Sequence, residues 1–65
     1  MFNFKIVARD RKEKRFRFMY AGNGELTTRV IMCLFFETEE EAINLCKNLD
    51  HWNGEGYEFQ VRKHA

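Results

Sequence analysis

The sequence predicts a small α+β fold in the order β-β-β-α-β, with one helix packed on one face of a mostly antiparallel three- or four-stranded sheet. Three observations carry this prediction. Thr38-Glu39-Glu40-Glu41 opens an apolar run, Ala42, Leu45, Cys46 and Leu49, at helical spacing. Phe2, Phe4, Ile6 and Ala8 alternate with Asn3, Lys5, Val7 and Arg9, as in a half-buried strand. Tyr57, Phe59 and Val61 alternate in the same way with Glu58, Gln60 and Arg62.

Each element follows from its local chemistry. After the first strand, Asp10-Arg11-Lys12-Glu13 forms a charged turn. Phe16, Phe18 and Tyr20 then alternate with Arg15, Arg17 and Met19, which predicts a second strand in an antiparallel hairpin with the phenylalanines on one face. Ala21-Gly22-Asn23-Gly24 is a turn, because glycine and asparagine accept positive φ. A third strand follows, strongest from Arg29 to Phe36. The helix is expected over Glu39–His51. Thr38 caps it, and Glu41 reaches back to the Thr38 amide in a capping box. Three carboxylates then sit at the positive end of the helix dipole. Asn53-Gly54-Glu55-Gly56 ends the helix, with glycine for a left-handed cap.

One helix covers one face of such a sheet. The expected core joins Phe2, Phe4, Ile6, Phe16, Phe18, Tyr57, Phe59 and Val61 to Leu45, Cys46, Leu49 and Trp52. Lys5, Arg15, Arg17, Glu58, Gln60 and Arg62 are left on an open, mostly basic face. The third strand departs from this pattern. Val30, Met32, Leu34 and Phe36 point one way, Ile31, Cys33 and Phe35 the other, and both sets are apolar. Either loops cover the second set, or Ile31, Cys33 and Phe35 form an apolar interface, such as a homodimer seam through the third strand.

The chain of 65 residues forms one domain, residues 1–65. A domain of this size buries only about 60% of its unfolded surface. Little interior remains for a deep catalytic cleft. Net charge is +1, with unequal halves: residues 1–30 carry eight Lys/Arg against three acids, and residues 31–65 carry three against seven. The longest apolar run, Val30–Phe36, is too short to span a bilayer. Met1 leads directly into strand residues without an apolar leader, so the expected location is cytoplasmic, where thiols stay reduced.

No residue set carries a recognisable catalytic pattern. Asp50-His51 lacks a matching nucleophile and oxyanion site. His51 at a helix end is simply a partner for the dipole. Cys33 and Cys46 lack a C-x-x-C spacing, and with His51 and His64 they do not match a zinc pattern. Two buried thiols are the expectation. The glycines at 22–24 and 54–56 fit neither phosphate-loop pattern. The expectation is a protein that is not an enzyme and uses no cofactor or metal. The basic cluster Arg9, Arg11, Lys12, Lys14, Arg15 and Arg17, joined by Arg62 and Lys63, is the candidate binding surface. A dedicated single-strand reader would place aromatics on that face for stacking, whereas the aromatics here alternate toward the core. A protein partner with acidic features is therefore favoured over nucleic acid.

Phe36-Glu37-Thr38-Glu39-Glu40-Glu41-Ala42, then Leu45, then Tyr57-Glu58-Phe59-Gln60-Val61-Arg62, resembles a group of small phage-encoded proteins of one sheet and one helix. The group includes the T7-type inhibitor of bacterial RNA polymerase, and several anti-CRISPR proteins share its size and style. The resemblance spans about residues 34–63, and the hairpin Arg9–Arg17 has no counterpart in it. It implies a stoichiometric inhibitor in a bacterial host cell that binds a larger host protein and performs no chemistry. Arg62 and Lys63 are the matching basic positions.

Overall fold

The computed structural model describes residues 3–53 and 56–64, the side chains of 50–53 excepted. Expectations placed on Phe2, on the side chains of Asp50, His51 and Trp52, and on Gly54 and Glu55 lie outside the described residues. The elements are β1 (Phe4–Asp10), β2 (Phe18–Gly22), β3 (Glu25–Thr27), β4 (Phe35–Phe36), α1 (Glu39–Asn53) and β5 (Tyr57–Lys63), with a 3₁₀ turn at Val30–Met32. Among the described residues, one helix packs on a five-stranded sheet whose strand pairings are all antiparallel. The α+β class is as the sequence predicts.

β1 is the central strand. β5 pairs along its whole length, from Phe4↔Lys63 to Asp10↔Tyr57. The opposite edge of β1 is shared. β2 takes Val7 and Ala8, and β4 takes Phe4 and Lys5. β3 extends the sheet beyond β2 through a hairpin in which Gly22, Asn23 and Gly24 all have positive φ. Only glycine and a few short polar residues adopt that conformation cheaply. The Gly24 amide donates to the Tyr20 hydroxyl at 3.2 Å, which ties the turn to the core.

The helix starts where the cap signal places it. The Glu41 amide donates to Thr38 Oγ1 at 3.2 Å, satisfying one of the helix's orphan donors. The other half of the capping box differs. The Glu41 carboxylate accepts from the Thr38 hydroxyl at 3.2 Å instead of from the Thr38 amide. Ala42, Cys46 and Leu49 are buried and Leu45 half-buried, so the apolar stripe faces the sheet as expected. Ile6, Ala8, Tyr20 and Phe59 complete the core, with Phe4, Phe18, Leu26, Phe36, Tyr57 and Val61 packed around it. Phe18 and Tyr57 meet edge to face, their centroids 6.0 Å apart.

Two expectations are corrected. The run Arg29–Phe36 is not one strand. Its first part is a 3₁₀ turn, closed by Met32 N–H to Arg29 O at 3.1 Å and Cys33 N–H to Val30 O at 3.0 Å. Only Phe35 and Phe36 pair. On the edge of β1 opposite β5, β2 holds Val7 and Ala8 and β4 holds Phe4 and Lys5, while Leu34 N–H donates to Tyr20 O of β2 at 2.9 Å. The true third strand is the short Glu25–Thr27, directly after the turn. The second correction concerns Phe16. Residues 11–17 lie outside the strands, β2 begins at Phe18, and Phe16 is absent from the helix-side cluster.

Thr38→Ala should cost about 1 kcal/mol of stability. Leu49→Ala should cost about 2–5 kcal/mol. A core of this size supplies only about 3–5 kcal/mol, so the second variant should be largely unfolded at room temperature. Urea titration followed by circular dichroism checks both, and a Leu49→Ala chain as stable as the parent would contradict the packing described.

Candidate interaction face

Strand alternation sorts the side chains of β1 and β5 into two sets. Phe4, Ile6, Ala8, Phe59 and Val61 face the helix. Lys5, Val7, Arg9, Glu58, Gln60 and Arg62 take the other face. This second face is not covered by the helix, and it carries the structure's main polar network.

The network centres on Glu58. Arg9 donates to Glu58 Oε1 through Nε at 3.0 Å and through Nη2 at 2.5 Å. The Gln60 amide donates to Glu58 Oε2 at 3.2 Å, and Arg62 Nη2 donates to Gln60 Oε1 at 2.9 Å. The Arg9 hydrogen bonds, with lesser help from Gln60 and Arg11 against some desolvation, hold the Glu58 carboxyl below its ordinary value of 4.5.

Phe16 joins this face. The Arg9 guanidinium lies 5.2 Å from the centre of its ring and the Arg62 guanidinium 5.0 Å. Both distances are within cation–π range. Arg9 Nη1 also donates to the Glu13 carbonyl at 3.3 Å, so one guanidinium binds β5, the loop and the ring together. The loop is shaped by Asp10, whose carboxylate accepts from the Lys12 amide at 2.9 Å and whose carbonyl accepts from the Glu13 amide at 2.8 Å. The expected charged turn at 10–13 therefore forms.

The predicted site residues fall into two groups. Arg11, Lys12, Arg15 and Arg17 are exposed on the loop, and Arg62 and Lys63 are exposed on β5. Arg17 pairs with Glu13 at 3.3 Å. Lys63 takes the helix-side alternation, unlike Arg62. The structure thus brings Arg62 to the loop through Phe16 but turns Lys63 away. The sequence places Arg9 in the basic cluster but Phe16 in the core, whereas the structure makes the two the joint of this face. The available signal is the position of Phe16 between Arg15 and Arg17.

The proposed apolar set Ile31, Cys33 and Phe35 does not share one surface. Ile31 is 87% exposed on the 3₁₀ turn. Cys33 is buried, and its thiol donates to the Leu34 carbonyl at 3.4 Å. Burial pushes the Cys33 thiol up from its ordinary value, with the nearby Lys5 charge opposing. Phe35 is half-buried against the His64 ring, centroids 4.8 Å apart, and His64 Nδ1 accepts from Lys5 Nζ at 3.4 Å. Ile31 is instead flanked by Val30, 48% exposed, and Met32, 60% exposed.

No helix among the described residues is long and apolar enough to cross a membrane. Among those residues there is also no cluster of three or more His, Cys, Asp or Glu side chains arranged to hold a metal ion. Comparison of the chain with family models, curated proteins and solved structures finds no match.

Because the folded Glu58 carboxyl titrates below its unfolded value, its pairing stabilises the protein above pH 4.5 and is lost as the pH falls through the folded value. Thermal melts across this acid range should show a stability decline that is shallower in Glu58→Gln. An identical acid decline in both chains would show that Glu58 does not contribute to it.

Proposed function

We propose that this chain is a non-enzymatic binding protein that docks its basic loop and open sheet face on an acidic surface of a larger protein and blocks it. The observation that carries this reading is the arrangement of Arg9 and Arg62 over Phe16. On a face the helix leaves open, the Phe16 ring and the Glu58 carboxylate hold Arg9, and the same ring and the Gln60 side-chain carbonyl hold Arg62. Rigid guanidinium groups lose little entropy when they meet a partner carboxylate, and their paired donors suit its geometry. Arg11, Lys12 and Arg15 stand exposed on the attached loop and add long-range steering.

The resemblance of residues 34–63 to small phage-encoded inhibitors supports a stoichiometric blocker of a host nucleic-acid enzyme, such as RNA polymerase or a CRISPR effector. A second reading, nucleic-acid binding by the same residues, is favoured by one finding: Phe16 gives the basic face an aromatic ring. Two guanidinium groups already lie over that ring, which makes it a support for arginines more than a platform for a base.

Tagged protein passed through nuclease-treated bacterial lysate should retain one stoichiometric host protein. Arg15→Glu combined with Arg17→Glu should weaken that complex roughly tenfold or more while leaving the circular dichroism spectrum unchanged. Equal retention by both chains would remove the loop from the interface. Binding that appears only without nuclease, and falls steeply with salt, would transfer the site to nucleic acid.

A further inference from the structure

We infer that the outer edge of β5 pairs antiparallel with the same edge of a second copy of this chain, centred on Gln60. This goes beyond the binding role proposed above, with which it shares Arg62, and it is argued from the strand edge instead of the Phe16 contacts. β5 is seven residues long, and among the described residues no strand pairs with its outer edge. A free edge of that length is a template for another strand.

The phase of the β1–β5 ladder determines which groups point outward. Arg11 N–H donates to Gly56 O at 3.2 Å, and His64 N–H donates to Asn3 O at 2.6 Å. Both bonds continue the register Phe4↔Lys63 to Asp10↔Tyr57. In an antiparallel ladder the residues alternate between bonding inward and outward. Glu58, Gln60 and Arg62 therefore turn their main-chain groups toward β1. Tyr57, Phe59, Val61 and Lys63 present theirs to the free edge.

A two-fold axis at Gln60 matches this phase. It sets Phe59 against Val61 and Tyr57 against Lys63 of the second copy as hydrogen-bonded pairs. Glu58 then faces Arg62 of the second copy in the non-hydrogen-bonded positions, where side chains come closest. Symmetry gives that ion pair twice. Sliding the register by two residues either way sets Glu58 against Gln60 or His64 and loses the match. The charges on this edge are thus complementary to themselves in one register, which selects a second copy over a generic strand. The seam also runs along the open groove of about 300 Å³ lined by Ile43, Cys46, Lys47, Phe59, Gln60 and Val61. Ile43 is 38% exposed there, and Val61 is half-buried.

Sedimentation equilibrium of the full chain at high micromolar concentration should give twice the monomer mass. Amide hydrogen exchange by NMR should show Val61 and Lys63 protected, with protection that falls on dilution. Arg62→Glu alone, or Glu58→Arg alone, should raise the dissociation constant about tenfold. An equimolar mixture of the two variants should recover the dimer, because both cross-strand pairs regain opposite charge. Glu58→Arg also loses the Arg9 contact, so exchange on the unaltered chain decides independently of that variant's folding. A monomer mass would overturn the inference. So would a dimer whose Val61 and Lys63 amides exchange freely, since that dimer would use another surface.

Discussion

Everything in this fold is arranged around the two edges of β1. A strand has two edges, and here three other strands use them. β5 occupies one edge completely, while β2 and β4 divide the other between Val7–Ala8 and Phe4–Lys5. On the shared edge β4 is two residues long, and the chain before it folds on itself as a 3₁₀ turn. The helix is then laid across the same β1 side chains, Ile6 and Ala8, both fully buried. The absence of a large side chain at Ala8 and Ala42, each 0% exposed, lets α1 approach the sheet closely.

The two faces of β1 serve different physical ends. The helix face excludes water and supplies the stability of a domain with little interior to spare. The open face keeps its charges in contact with solvent and arranges them. Arg9, Glu58, Gln60 and Arg62 form a continuous chain of side-chain hydrogen bonds across β1 and β5. Pairs of this kind at partly exposed positions add little to folding. Their effect is to restrict long side chains that would otherwise sample many rotamers. Phe16 restricts them further while shielding part of its own ring. Val7 is buried on this face, outside the helix-side cluster, so the face has apolar support as well as charge.

The segment Val30–Met32 shows how the same edge constraint leaves apolar side chains exposed. In a full strand these residues would have alternated between core and solvent. As a 3₁₀ turn with no place in the sheet, they expose Val30, Ile31 and Met32 together. The basic face adjoins the outer β5 edge through Glu58, Gln60 and Arg62, and this turn is a further surface feature of the same small domain.

The sequence by itself determined the elements that depend only on near neighbours. Thr38 with Glu41 marks the helix start, and the spacing of Ala42, Leu45, Cys46 and Leu49 marks its buried face. Alternation over residues 4–8 and 57–63 marks the two longest strands, and Gly22-Asn23-Gly24 marks a turn. Asn23-Gly24 also suits a tight hairpin and so β3, although the run that follows is the more apolar. The tertiary structure alone decided whether that run had an edge to pair with, and whether Phe16 stayed in the ladder. Local pattern specifies what a segment is suited to become. Which segment takes a limited hydrogen-bonding edge depends on residues distant in the chain, and no local period records that competition.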